Sequence, residues 1–349
     1  MSLTRPLRVI GALALTAVLG LQLTACDATY EPGKGYLVTG FWNLQDVNSD
    51  GVAVGTMSGM KAGVYDTKTQ TITAVAPVAP YTQGSFEAIN DAGLAAGTFY
   101  LSAVTQAFVH NTKTGGSKMI PLPSGFTMGS KSVAIDSVGR VVVEAYKPTG
   151  ENTGLIRRFV YDHRDRTITA VDPAIASIFG AGAVADVVDI SSSGTLLGNA
   201  PGPFALNWSS RSIATLPYPG GTTPRPVSLY ELNKNGIAVG ADYSCASDPC
   251  TERPYVYDRK AKAFVTLAAG TPKGPALGVS DGGLIWGPVG SSILGSSYTG
   301  WWYDLSTKRS GTLPKPTGVS NGCVLFAVNA SRLGVGHCDS NKGFIYRVP

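Results

Sequence analysis

The residues whose types could do chemistry are few and scattered along the 349-residue chain. Asp46-Val47-Asn48-Ser49-Asp50-Gly51 spaces oxygen donors as the opening of a calcium loop does, but Met57 stands where the closing bidentate carboxylate belongs. Turn chemistry accounts for Asp46, Asn48 and Asp50 without a metal. His110, His163 and His337 lie far apart, too far to suggest a metal triad or a nucleophile–base pair. Pro219-Gly220-Gly221-Thr222-Thr223 lacks the lysine and the strand-to-helix setting of a phosphate loop. No cofactor and no metal are implied. Glu144, Glu151, Asp186, Asp242 and Glu252 are the acids that could supply a carboxylate pair for polysaccharide cleavage, provided the fold gathers them.

The elements that must position these residues are strands, in a unit that recurs about seven times. The clearest copy is Ala88-Ile89-Asn90-Asp91-Ala92-Gly93-Leu94-Ala95-Ala96-Gly97, and Asp46–Gly55 and Glu231–Gly240 repeat it. A first strand ends at Ile-Asn or Val-Asn. A tight turn follows with glycine where a left-handed residue is wanted, at Gly51, Gly93, Gly139, Gly194, Gly236 and Gly283, while Arg332 takes that place in the seventh unit. The second strand is short, the third aromatic (Val64-Tyr65-Asp66, Tyr255-Val256-Tyr257, Trp301-Trp302-Tyr303), and the fourth often ends at proline. Trp301 and Trp302 fit a packing layer between units better than a sugar platform. Four strands in about 45 residues are what a propeller blade requires. The chain stops after a third strand, and Tyr36–Phe41 is a spare strand ahead of the first unit. The fold expected is therefore all-β: a seven-bladed β-propeller of four-stranded blades, closed by the N-terminal strand pairing with the C-terminal blade. An open β-solenoid is the main rival.

Connections in such a meander alternate between two ends. First-to-second and third-to-fourth connections are tight, whereas the others run long, as in Glu144–Arg157, Asp172–Asp186, Pro217–Ser228, Asp242–Arg253 and Pro288–Tyr298. Irregular loops on a rigid scaffold are where binding residues concentrate. One face should be bland and the other able to carry a site near a central channel. The candidate ligand-binding residues there are Tyr146, Glu151, Arg157, Arg225, Asp242, Tyr243, Arg253 and Tyr298.

The N-terminus supplies an address. Arg5 and Arg8 precede an apolar stretch, Val9–Leu21, followed by Leu23-Thr24-Ala25-Cys26. A charged start, a short apolar core and small residues before a cut describe a secretory signal. Leu23–Cys26 resembles the lipobox of bacterial lipoproteins, in which the cysteine is diacylated and becomes the first residue. Residues 1–25 are thus expected to be a lipoprotein signal peptide, 26–35 the lipidated Cys26 and a tether (Asp27–Lys34), and 36–349 the repeat domain. Asp27 resembles the inner-membrane retention signal of enteric bacteria; periplasmic and extracellular faces both stay open. Four further cysteines in an exported chain suggest disulfides. Cys245 and Cys250 enclose a tiny loop, and Cys323 and Cys338 fall opposite each other across one hairpin, within one residue of register. A zinc site is disfavoured because no CxxC spacing occurs.

The formal net charge is +5, and removal of Arg5 and Arg8 with the leader lowers it further. Without basic runs or basic–aromatic interleaving, nucleic acid is excluded as a partner. The partners expected are the membrane through the lipid anchor and an envelope protein or glycan, bound by a monomer. The phrase at Ala88–Gly97, followed by Gln106-Ala107-Phe108-Val109, resembles the bacterial extracellular HAF-repeat proteins. Gln106 stands where that family's name-giving histidine would be. The resemblance implies a secreted or surface-attached propeller-like domain and no defined reaction. The function expected is a non-enzymatic binding or scaffold domain of the cell envelope. A propeller-type polysaccharide hydrolase or lyase using loop-face carboxylates is the alternative.

Overall fold

The computed structural model describes residues 30–150, 153–180, 183–219, 227–244, 251–271, 274–289, 299–339 and 341–349. Its sheets follow the repeat. Five are four-stranded, and the eight-stranded sheet consists of two antiparallel meanders joined by one parallel pairing, Gly129 with Thr105. The first strands of the seven units are Phe41–Val47, Gln83–Ile89, Gly129–Ile135, Asp186–Ile190, Val227–Leu232, Gly278–Val279 and Cys323–Val328. Their C-terminal ends converge on one central cavity. The protein is all-β with a propeller-like arrangement of sheets. In the last sheet the outer position is filled by Gly35–Val38, paired antiparallel with the third strand, Lys342–Arg347.

The turn motif has a two-way hydrogen-bonding role. Asn48 Oδ1 accepts the Val52 N–H (2.9 Å) and closes its own hairpin, as Asn90, Asn233 and Asn329 do in theirs. The same side chains reach sideways. Asn90 Nδ2 donates to the Asp136 carbonyl (2.8 Å), and Asn233 Nδ2 to the Ser280 carbonyl (2.9 Å). Asn329 Nδ2 donates to the Asn48 carbonyl (2.8 Å), joining the last unit to the first. Buried amides with both ends satisfied fix the spacing between neighbouring units. Arg332, at φ 66°, takes the left-handed conformation of the turn glycines despite its Cβ. Its guanidinium is tied to the Asp304 carboxylate and the Pro349 carbonyl.

In six of the seven units the first strand carries a bulge before the turn. Register shifts fall between Leu44 and Asp46, Phe86 and Ala88, Ser132 and Ala134, Val187 and Asp189, Leu229 and Glu231, and Leu325 and Ala327. The bulge brings a backbone carbonyl over the second strand, where the second glycine of the repeated phrase lies. A Cβ on Gly336 would meet the Val324 carbonyl oxygen at 1.9 Å, and one on Gly55 the Asn43 oxygen at 2.2 Å. Where the carbonyl comes this close only glycine fits beneath it, as in the first, second, fourth, fifth and seventh units. The third unit is the exception, with Val143 at this place.

The core lies between sheets. Val54, Ala62 and Val75 of the first unit pack on Phe86, Phe99 and Phe108 of the second, where Phe99 and Phe108 stack 3.7 Å apart. Leu333, Val335 and Ile345 of the last unit pack on Phe41, Leu44 and Val47 of the first. Trp301 and Trp302 are buried within these layers. Cys323 and Cys338 are cross-strand partners and form a disulfide. The connection 172–186 holds a helix, Asp172–Phe179, where the sequence suggests only a long loop. Pro173 lies in its first turn, Ile175 is buried, and Ala174 and Phe179 pack against the same core, so apolar contacts organise the segment. Tyr30–Lys34, which the sequence assigns to the tether, packs on the domain: Tyr30 is buried, its hydroxyl bonds that of Tyr65 (2.8 Å), and Gly33 N–H donates to the Arg347 carbonyl (2.8 Å).

Candidate functional site

The cavity at the tight-turn end has a volume of about 210 Å³. Its most informative side chains are Asp46, Asp189 and Glu231, which occupy the same place in three units, two residues before the turn. Ala88, Ala134 and Ala327 take that place in three others, and Gly278 in the sixth. Asp46 Oδ2 accepts the Ile89 N–H (2.7 Å) and its Oδ1 the Val47 N–H (2.7 Å). Asp189 Oδ2 accepts the Leu232 N–H (2.9 Å), and Glu231 Oε2 the Val279 N–H (3.0 Å). Each carboxylate thus latches its unit to the next. A Cβ at Gly278 would fall 2.3 Å from Glu231 Oε2, so glycine makes room for that latch.

All three carboxyls hold their protons more tightly than usual. Burial raises Asp46 to about 6, against the lowering effect of its backbone hydrogen bonds. Burial also raises Asp189 and Glu231, and the nearby negative charges raise both further. Each keeps part of its surface on the cavity, so some water reaches it. At the mouth, Asp281 accepts the Lys234 N–H (2.9 Å) and lies 3.3 Å from both Ser192 Oγ and Lys234 Nζ. No group of three His, Cys, Asp or Glu with metal-ligand geometry occurs among the described residues. The arrangement can store protons and couple units. Its carboxylates already serve backbone donors.

At the long-loop end the predicted residues fall into two sheets. Tyr146 and Arg157 lie on adjacent strands of the third unit. The Tyr146 hydroxyl donates to Glu144, and burial followed by that carboxylate pushes the phenol upward. Arg157 pairs with Asp172 (2.6 Å). Arg158, not singled out by sequence, joins Glu144 (2.5 Å) to Asp186 (2.7 Å), consuming two of the five acids considered for a catalytic pair. Tyr100 bonds Ser85 (2.9 Å), which donates to Glu87 (2.8 Å), and Lys131 sits 5.8 Å from the Tyr146 ring centre. In the fifth unit Tyr243 bonds Tyr230 (3.2 Å). Asp242 faces Arg253 across the ladder and is buried, and its Oδ1 finds no hydrogen-bond donor among the described residues. Glu252 is raised by burial. Glu151, Arg225 and Tyr298 lie outside the described residues, as do Cys26, Cys245 and Cys250.

No family model matches the chain, and no curated protein is similar to it in sequence. Solved structures are similar in fold. An oligogalacturonate lyase in complex with manganese has a TM-score of 0.57 at 10% identity, covering 88% of this chain and 90% of that one. A chain of the mitotic checkpoint complex has a TM-score of 0.54 at 10% identity, covering 100% and 98%. The oligogalacturonate lyase from Vibrio parahaemolyticus gives 0.55 at 9% identity, covering 91% and 92%. At such identities the likeness concerns the fold alone.

Two corrections to the sequence expectations follow from the geometry. The tight-turn end is not bland, since it holds the cavity with the three proton-retaining carboxylates. Asp46 is not a turn residue: it sits on the first strand, past the bulge, and bonds the next unit. An available signal was the alignment of units, in which an acid replaces a small residue three times at one place. His110 is buried and bonds Ser117 (3.0 Å), and His337 packs edge-on against Phe326.

Proposed function

We propose that this chain is an exported lipoprotein, anchored through acylated Cys26, whose repeat domain is a closed seven-bladed propeller related to the HAF-repeat proteins. Its long-loop face binds an envelope protein or glycan without turning it over. Closure is supported by the pairing of Gly35–Val38 with the last sheet and by the Asn329–Asn48 hydrogen bond. The observation that carries the binding function is the state of the loop-face acids. Glu144 and Asp186 are both held by Arg158, which leaves beside them a surface of half-buried phenols, Tyr100 and Tyr146, and the exposed Lys131. Phenols and an exposed lysine beside paired acids suit recognition of hydroxyl-rich or weakly acidic ligands better than proton transfer. From their spacing in the sequence, Cys245 and Cys250 are proposed to form a second disulfide.

The test is a glycan array and an envelope pull-down with the mature chain, followed by Tyr146→Phe combined with Lys131→Ala. The expected result is a captured ligand whose affinity falls about tenfold in the double variant, the size of one or two lost hydrogen bonds. Turnover of a polyuronate, with or without manganese, would instead establish the lyase alternative, for which the fold likeness to oligogalacturonate lyase is the motive.

A further inference from the structure

The tight third-to-fourth turns all lie at the same end of the fold as the first-to-second turns, and every one carries exposed positive charge. Lys68, Lys113, Arg164 and Arg166 occupy the first three. Arg211, Lys260, Lys262, Lys308 and Arg309 occupy the next three. Among the described residues none of these is in an ion pair. The acids that open four of the turns face inward. Asp66 accepts the Lys68 and Thr69 N–H groups, and Asp162, Asp258 and Asp304 do likewise in theirs. Among the described residues, Asp50, Asp91 and Asp165 are the exposed acids on these turns, and Glu31 on the entering segment is paired with Lys34. The outcome is a basic rim that no sequence run announces, because each unit contributes one or two charges.

The seventh unit has no such turn. Its place on the rim is where the chain enters: Pro32 and Gly33 bridge to Arg347, and Arg347 pairs with Leu333, directly after the last turn. Tyr30 is fixed beside Tyr65 at the same end. From Cys26 to Tyr30 is four residues, a reach of at most about 14 Å fully extended. We infer that the tight-turn face docks on an anionic membrane surface, with its basic rim on the lipid headgroups, so that the long-loop face points away from the membrane. This rests in part on the proposed acylation of Cys26, which would hold this face against the lipid, and in part on charge alone. A tether too short to let the domain roll over and a rim of unpaired cations act in the same direction.

The experiment separates the two supports. The mature chain carrying Cys26→Ser, and so unable to be acylated, is sedimented with vesicles of mixed phosphatidylglycerol and phosphatidylcholine, or of phosphatidylcholine alone. Binding is expected only to the anionic vesicles, lost at high salt, and reduced at least about tenfold by Lys260→Glu, Lys262→Glu and Lys308→Glu together. The control Lys61→Glu with Lys147→Glu, on the long-loop face, is expected to bind unchanged. Equal weakening by the control, or no preference for anionic lipid, would overturn the docking. Mass spectrometry of the N-terminal peptide from the native chain is read independently. An unmodified Cys26 would remove the anchor while leaving the vesicle result to judge the face.

Discussion

Replacing Asp46 by Asn should change the pH dependence of stability more than the stability itself. In the folded chain burial raises this carboxyl from its usual 3.8 to about 6, so the folded state binds the proton more tightly than the unfolded state. Below about pH 4 both states are protonated and the penalty vanishes. As pH rises from about 4 to 6 the unfolded state ionises while the folded state still holds its proton, so stability falls across that window and is level above it. A shift of about two units corresponds to about 3 kcal/mol. The carboxylate opens onto a wet cavity, so about half of that, 1–2 kcal/mol, is a better expectation. Asparagine keeps one acceptor for the two N–H groups that Asp46 now serves, and losing the other bond costs about 1 kcal/mol at any pH. The variant should therefore be less stable than wild type at pH 4 and equal or more stable at pH 8. Urea unfolding across this range would show the two curves crossing. The charge on Asp46 also raises Asp189 and Glu231, so the difference curve reports the loss of Asp46 together with the relief of those two carboxyls, both of the same sign. Parallel curves would refute the account of this carboxyl as a proton-retaining latch.

Two further outcomes test the framework. Asn329→Ala removes the bond to Asn48 and strands the N–H groups of Ser331 and Leu333, so a loss of about 2 kcal/mol is expected, read as a fall in Tm. Asn235→Ala removes one exposed hydrogen bond, from Nδ2 to the Asp281 carbonyl (2.8 Å), and should lower Tm less. Gly336→Ala would drive a methyl into the Val324 carbonyl oxygen, and a loss of about 3 kcal/mol or more is expected from calorimetry. An unchanged Tm there would contradict the bulge geometry.

Much of the local structure was legible in the residues. The left-handed turn requires glycine, or a tolerated strain as at Arg332, and that demand writes itself into the chain at each repeat. Strand alternation and the aromatic third strands are equally local. The pairing of Cys323 with Cys338 follows from counting outward from one turn. The helix at Asp172–Phe179 escaped because eight residues inside a long connection carry too little periodicity to stand out. Candidate residues fared unevenly for the same reason. Tyr146 and Tyr243 could be assigned to the long-loop end by topology, but Arg158, which sets the state of Glu144 and Asp186, had no distinguishing neighbour in sequence.

The sequence by itself determined the repeat, the strand type, the turns and the local hairpin register, because each depends on residues a few positions apart. The tertiary structure decided which side chains meet between units. Asp46, Asp189 and Glu231 are remote in the chain and converge only because the first strands share one cavity and each bulge re-aims the residue that follows it. The basic rim arises in the same way. Single charges that are unremarkable in each turn become a surface only when an antiparallel meander returns every such turn to the same end.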